Sequence, residues 1–135
     1  MAAVVYNELD ALLNLIVSNT LIAGGVVIHL FQNNVTFDNH TVIGGLTEAS
    51  YTSYAAQTLG AWGTPSGGSG GGSNSLGPTA VFAPGILATP QLCYGWYATD
   101  SAGNLLGGDN FASPLQMGGT TVQVDITPTL SLTTP

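Results

Sequence analysis

The chain is 135 residues long, 44% apolar and only 5% charged, with seven Asp and Glu, no Lys and no Arg, for a formal net charge of −7. That length is one domain. Without a cation the chain cannot neutralise nucleic-acid phosphates, supply a Walker lysine or an arginine finger, form a Schiff base or grip an anionic bilayer, and an apolar, weakly charged chain is not disordered as a whole.

Residues 6–19 read as a short N-terminal helix, within an arm of residues 1–19. Asn7 can cap it, and Glu8 and Asp10 suit its first turn. Leu9, Leu12, Leu13 and Ile16 recur at i, i+3, i+4 and i+7. Leu15 and Val17 widen that face beyond one stripe, so these six residues are the expected interface through which the chain associates. The uncharged window Leu12 to Phe31 is long enough to span a bilayer. Ser18-Asn19-Thr20 and Ala23-Gly24-Gly25 interrupt it, and no cation sets an orientation, so no membrane partner is expected.

Gly25 to Phe31 is β-branched and aromatic and predicts a buried strand, closed by the turn residues Gln32-Asn33-Asn34. Thr47-Glu48 predicts a turn or a short helical start, followed by an extended segment to Leu59. Residues 64–78 have the composition of a Gly/Ser-rich flexible loop. Thr79 to Ala83 and Leu92 to Thr99 predict strands. Asp100-Ser-Ala-Gly-Asn104 is hairpin turn chemistry, and Leu105 to Phe111 is its return strand, weakened by Gly107 and Gly108. Thr120 to Ile126 alternates, with Val122, Val124 and Ile126 on one face. Leu130 and Leu132 continue it past Pro128. The expected fold is a single mainly β domain over residues 1–135: an antiparallel β-sandwich or partly open barrel of five to seven short strands after one helix.

Few residues carry a chemical signal. Cys93 lies among apolar neighbours and reads as a buried core thiol. Gly67-Gly68-Ser69-Gly70-Gly71 matches a nucleophile elbow in letters, but its flanks are more Gly and Ser rather than a strand and a helix. His29 reads as a satisfied core or interface histidine. His40 stands two residues from Asp38, with no second cluster to complete a metal site. Neither Phe37–Thr41 nor Gly107–Asn110 has the acid spacing of a calcium loop, and both read as turns. Asn34-Val-Thr36 and Asn39-His-Thr41 are formal glycosylation sequons, read as turn and strand residues. Trp62, Trp96, Tyr94 and Tyr97 have the chemistry of a sugar platform, but aromatics more often fill cores and interfaces. The acids are scattered singly. No catalytic residue, cofactor or metal is expected.

Several segments, taken in order, resemble a group of small tailed-phage virion proteins encoded near the head genes. The start, Met1 to Leu13, looks like their apolar N-terminal segment. Val27-Ile-His-Leu-Phe-Gln-Asn-Asn-Val-Thr36 is similar to their LHLFxNxVT run. Leu46-Thr-Glu-Ala-Ser-Tyr-Thr-Ser-Tyr-Ala55 looks like their TEAxYxGYA segment. Tyr94-Gly-Trp-Tyr-Ala-Thr-Asp-Ser-Ala-Gly-Asn-Leu-Leu106 resembles their YGYxVTDxxGxLL hairpin, and Phe111-Ala-Ser-Pro114 and Ile126-Thr-Pro-Thr-Leu-Ser-Leu132 follow in order. The resemblance covers most of the chain outside residues 60–90. Gly107-Gly-Asp-Asn110 departs from it, standing where the group often has a Trp-Ala-Glu-Arg-like stretch. The resemblance implies a non-enzymatic virion structural protein, in the first place a capsid cement or decoration protein. It would be a homo-oligomer assembled in the host cytoplasm, with the major capsid protein or other virion proteins as partners. The alternatives are a tail, fibre or spike component holding host glycans through aromatic residues, or another head–tail component.

Overall fold

A computed structural model describes residues 25–63, 66–68 and 72–133. The helix and interface residues expected in 1–19 lie outside the described residues. Among those described, the chain is mainly β, with antiparallel sheets and almost no helix. Val27–Phe31 (β1) and Gln57–Thr58 (β2) are followed by Ser66–Gly68 (β3), Gly72–Leu76 (β4) and Ala80–Phe82 (β5). Gln91–Thr99 (β6), Leu105–Met117 (β7), Val124–Ile126 (β8) and Thr129–Thr133 (β9) complete the order. They form three separate sheets, ordered β2-β1-β6-β7, β3-β4-β9 and β5-β8. No helix among these residues is long and apolar enough to cross a membrane.

The hairpin β6–β7 forms where turn chemistry places it. One carboxylate oxygen of Asp100 accepts from the backbone N–H groups of Ala102 (2.9 Å) and Asn104 (2.8 Å), and the other accepts from the Asn104 side chain (2.7 Å). Gly103 supplies φ +88°, which a side chain would resist. The return strand runs on to Met117, past the expected end at Phe111. Cys93 pairs with Leu115 while Gly95 pairs with Asn110, so residues 111–114 bulge out of the ladder. Pro114 falls inside that bulge, where its missing N–H costs no ladder bond.

The strand period divides the four-stranded sheet into two faces. Ile28 and Leu30 are fully buried on one, in a core shared with Leu59, Cys93 and Met117 and with Ala80, Phe82 and Ile126 of the two-stranded sheet. The other face is covered by the loop after β1. Phe31 lies over Gly95, where an added Cβ would come within 2.5 Å of its ring, and Phe37 lies over Gly108 at 2.8 Å from such a Cβ. Asn110 pins this loop: its Oδ1 accepts from the Phe37 N–H (2.6 Å) and its Nδ2 donates to the Val35 carbonyl (2.8 Å). Gly107 and Gly108 therefore sit inside β7, and Gly107–Asn110 is strand rather than the expected turn. The glycine at 108 makes room for an aromatic ring.

Four further expectations are corrected. Residues 66–68 and 72–76 are not loop: β3 pairs with β4, and β4 with β9, from Gly72↔Thr133 to Leu76↔Thr129. Backbone ladders need no side chains, so a glycine and serine composition does not forbid them once a neighbouring strand supplies partners. Of the segment 120–126 only Val124–Ile126 is strand. Thr121 is held in a turn by bonds from the Gly118 N–H to its carbonyl and from its own N–H to Gln116, which leaves Val122 47% exposed rather than buried. Leu130 and Leu132 do not continue β8; they belong to β9 in a different sheet, beyond the break at Pro128. The turn expected at Thr47-Glu48 lies earlier, as one 3-10 turn at Ile43–Gly45.

Candidate interaction site

Two features of the four-stranded sheet hold the chain's polar and aromatic chemistry. The first lies along the part of β1 beyond Ile28 that β2 leaves unpaired. Residues 47–49 run beside it: the Gln32 N–H donates to the Thr47 carbonyl and the Ala49 N–H to the Leu30 carbonyl, both at 2.8 Å. The path then leaves the strand, and the Tyr54 hydroxyl takes its place. It accepts from the Leu30 N–H (3.1 Å) and donates to Glu48 Oε1 (2.9 Å). Glu48 Oε1 also lies 2.7 Å from His29 Nδ1, and His29 Nε2 lies 3.0 Å from the Thr99 hydroxyl. The imidazole stacks on Tyr97 with ring centroids 4.6 Å apart. Burial, with the nearby Glu48 carboxylate, pushes the Tyr97 phenol up to about 12. Burial and Glu48 likewise raise Tyr54 well above the ordinary tyrosine range, against the opposing bond from the Leu30 N–H.

Thr99, His29 and Glu48 have the layout of a nucleophile, a base and an orienting acid. Thr99 is only 3% exposed, however, so its hydroxyl is closed to a substrate. What the cluster does is join three segments far apart in sequence: β1, the strap 47–54 and the end of β6. His29 is thus the satisfied histidine that its place in the strand suggested. Its partners Glu48 and Tyr54 were not legible from sequence, because nothing local says that residues 47–54 return to β1.

The second feature is a groove of about 320 Å³ on the core-side face of β6 and β7. Its floor is two cross-strand pairs, Trp96↔Asp109 and Ala98↔Gly107. Trp62, Leu106 and the segment 127–129 form its sides. The far wall is fixed from below: the Gly77 N–H donates to the Pro128 carbonyl (2.8 Å), and the Thr79 and Thr127 hydroxyls meet at 2.7 Å. Trp62 is held by its neighbour Gly63, whose N–H donates to the Leu76 carbonyl (2.8 Å) and whose carbonyl accepts from Ser75 (2.7 Å). The Trp62 indole N–H is buried without a partner among the described residues.

The four aromatics of the expected platform therefore separate. Trp62 and Trp96 share the groove, Tyr97 faces the other way onto His29, and Tyr94 is half-buried outside the groove. Cys93 is fully buried, and burial pushes its thiol up to about 11, away from thiolate reactivity. Asp38 does not face the His40 ring: its Oδ1 accepts from the His40 backbone N–H (2.8 Å) and from the Thr41 hydroxyl (3.3 Å) in a local turn. Among the described residues no three His, Cys, Asp or Glu side chains gather as a metal would require. Of the Gly67–Gly71 stretch, Gly67 and Gly68 lie in β3, and the element that follows is β4, not the helix an elbow needs.

Compared with known proteins, the chain matches no family model, no curated protein and no solved structure.

Proposed function

We propose that this chain is a non-enzymatic structural protein of a tailed-phage particle, a capsid cement or decoration protein that docks on the head lattice and stabilises it. The observation that carries this reading is where the segments similar to phage virion proteins fall in the fold. Val27 to Thr36 is β1 and its turn, Leu46 to Ala55 is the strap along β1, and Tyr94 to Leu106 is the β6–β7 hairpin. Their polar residues are engaged in bonds that fix the backbone. Asn33 donates to the Gly45 carbonyl and accepts from the Thr47 N–H, both at 2.8 Å, and Asp100 closes the hairpin. Ser53 adopts φ +71°, and glycine stands at that position in the similar TEAxYxGYA segment. Glycine is what a left-handed position prefers. Motif letters that answer to backbone geometry mark a scaffold rather than a catalytic centre.

Ile86, Leu76, Val122 and Leu92 are large apolar side chains exposed by 46–86%, available for burial against a neighbouring subunit. The partners in this reading are the major capsid protein or another virion protein, and further copies of the chain. The sheets serve as the layers of an antiparallel sandwich, a view supported by the core that the four-stranded and two-stranded sheets share. The test is an electron-microscopy map of the particle whose genome encodes the chain. Density for the β2-β1-β6-β7 sheet repeated over the outer head surface is the expected result. Density confined to tail or neck would replace decoration by one of those roles, and absence of the chain from purified particles would overturn the reading.

A further inference from the structure

We infer that the groove between Trp62 and Trp96 binds a neutral carbohydrate. The argument begins with the sheet. Its core-side face is covered over β1, where Ile28 and Leu30 are fully buried, and over Cys93 and Met117, but among the described residues the cover is incomplete over Trp96–Ala98 and Leu106–Asp109. Half of the floor there is small, Ala98 beside Gly107, and a Cβ added at Gly107 would meet nothing within 4 Å. Among the described residues the space above these strands is open. Its volume of about 320 Å³ suits one small ligand, at the lower end of the usual range.

The lining selects the ligand. The chain's two tryptophans are both here, offering flat apolar surface with a weakly negative face to the C–H groups of a sugar ring. Beside them stand the exposed Asp109 carboxylate and the hydroxyls of Thr127 and Thr129. A carboxylate accepts bonds from hydroxyl donors at no covalent or ionic requirement on the ligand. Charge removes the competing classes. With no Lys or Arg in the chain, and an acid in the groove, a phosphate, carboxylate or sialylated ligand meets repulsion and no counter-charge. A purely apolar occupant would strip water from Asp109 and return no hydrogen bond. A polyhydroxylated neutral ring packs its C–H groups on the indole rings and donates hydroxyls to the carboxylate. The inference does not depend on the chain's place in a particle, so the two readings fail separately.

Because both tryptophans line the groove, intrinsic fluorescence of the full chain reports on it directly. The probes are cellobiose, maltose, lactose and N,N′-diacetylchitobiose, with sialyllactose as the charged control. A saturable emission change with at least one neutral sugar is expected, at a Kd on the order of 1 mM, and none with sialyllactose. Gly107→Leu should fill the space above the floor and weaken binding by roughly tenfold or more, with the circular dichroism spectrum unchanged. Asp109→Asn, at an exposed position, removes the charge while its amide oxygen can still accept from the Asn110 N–H, and should let sialyllactose approach the affinity of lactose. The inference is overturned if no neutral sugar alters the emission, or if Gly107→Leu folds and binds as the parent does. It is also overturned if the emission shifts with protein concentration and not with sugar, since a second copy then fills the groove.

Discussion

Alkaline pH tests the core directly, because this chain has no lysine to titrate in the same range. Burial pushes Cys93 from 9.0 to about 11, and Tyr51 and Tyr97 from 10.0 to about 12, with Tyr54 raised further. A raised folded-state pKa means that the native state holds its proton after the unfolded chain has released it. The stabilisation is complete below the unfolded pKa and is lost as pH rises toward the folded one. Cys93 alone therefore gives a slope of about −1.4 kcal/mol per pH unit between pH 9 and pH 11, a loss of roughly 2–3 kcal/mol. Above pH 10 the three tyrosines add to it, each at up to about 1.4 kcal/mol per pH unit. The tyrosine losses run in the same direction as that of Cys93, so together they erode a substantial part of an ordinary domain's stability of about 5–15 kcal/mol. Guanidinium unfolding at pH 8, 9, 10 and 11 should show a shallow limb and then a steep one, with unfolding close to pH 11. Cys93→Ala should lower stability at pH 8 through the cavity it leaves, yet abolish the shallow limb between pH 9 and pH 10. A stability flat from pH 8 to pH 11, or a shallow limb unchanged in Cys93→Ala, would refute the reasoning.

Tyr54→Phe removes the acceptor of the Leu30 N–H and a donor to Glu48, and should cost about 1–3 kcal/mol in chemical denaturation, more than an exposed hydroxyl would. Ser53→Gly relieves the left-handed strain of a residue at φ +71° and should raise stability by about 0.5–1 kcal/mol, read as a higher thermal midpoint. Gly95→Ala and Gly107→Ala should differ in sign. At Gly95 the new Cβ meets the Phe31 ring and the Asp109 carbonyl, costing about 1–3 kcal/mol or more, whereas at Gly107 it meets nothing and should stabilise by about 0.5–1 kcal/mol. Equal effects of the two substitutions on the thermal midpoint would show that the close approach at Gly95 is not as described.

The central sheet was legible because its signals are local. The run Val27 to Phe31 alternates into a core, and Asp100 to Asn104 encodes its own turn through one side chain and one glycine. The three-stranded sheet was not legible, since strands built from Gly and Ser carry no hydrophobic period; their pairing rests on backbone bonds to β9, more than fifty residues away. The same limit applies at Pro128. A proline inside an alternating run can mark a break or a tolerated edge, and only the partner strands decide: β8 pairs with β5, while β9 pairs with β4. Exposure of Val122 follows from the turn that Gly118 makes possible at φ +81°, which a reading by alternation alone places in the core.

The site divides in the same way. His29 could be placed on a strand from its neighbours, but its function as a tie depends on Glu48 and Thr99, 19 and 70 residues distant. Such a cluster is worth more than its separate bonds, because each contact fixes a segment that the others would otherwise have to order on their own. The groove depends on the opposite property, an absence of bulk. Ala98 and Gly107 are unremarkable in sequence and become part of a floor only when the register sets them side by side, next to the Trp96–Asp109 pair. A weakly charged chain without Lys or Arg must build rigidity from other means: ladders, packed rings, hydroxyl and carboxylate bonds. That is why its polar residues concentrate where segments must be tied. The surface left over, apolar side chains among hydroxyls and a few carboxylates, suits contacts made by burial rather than by ion pairing.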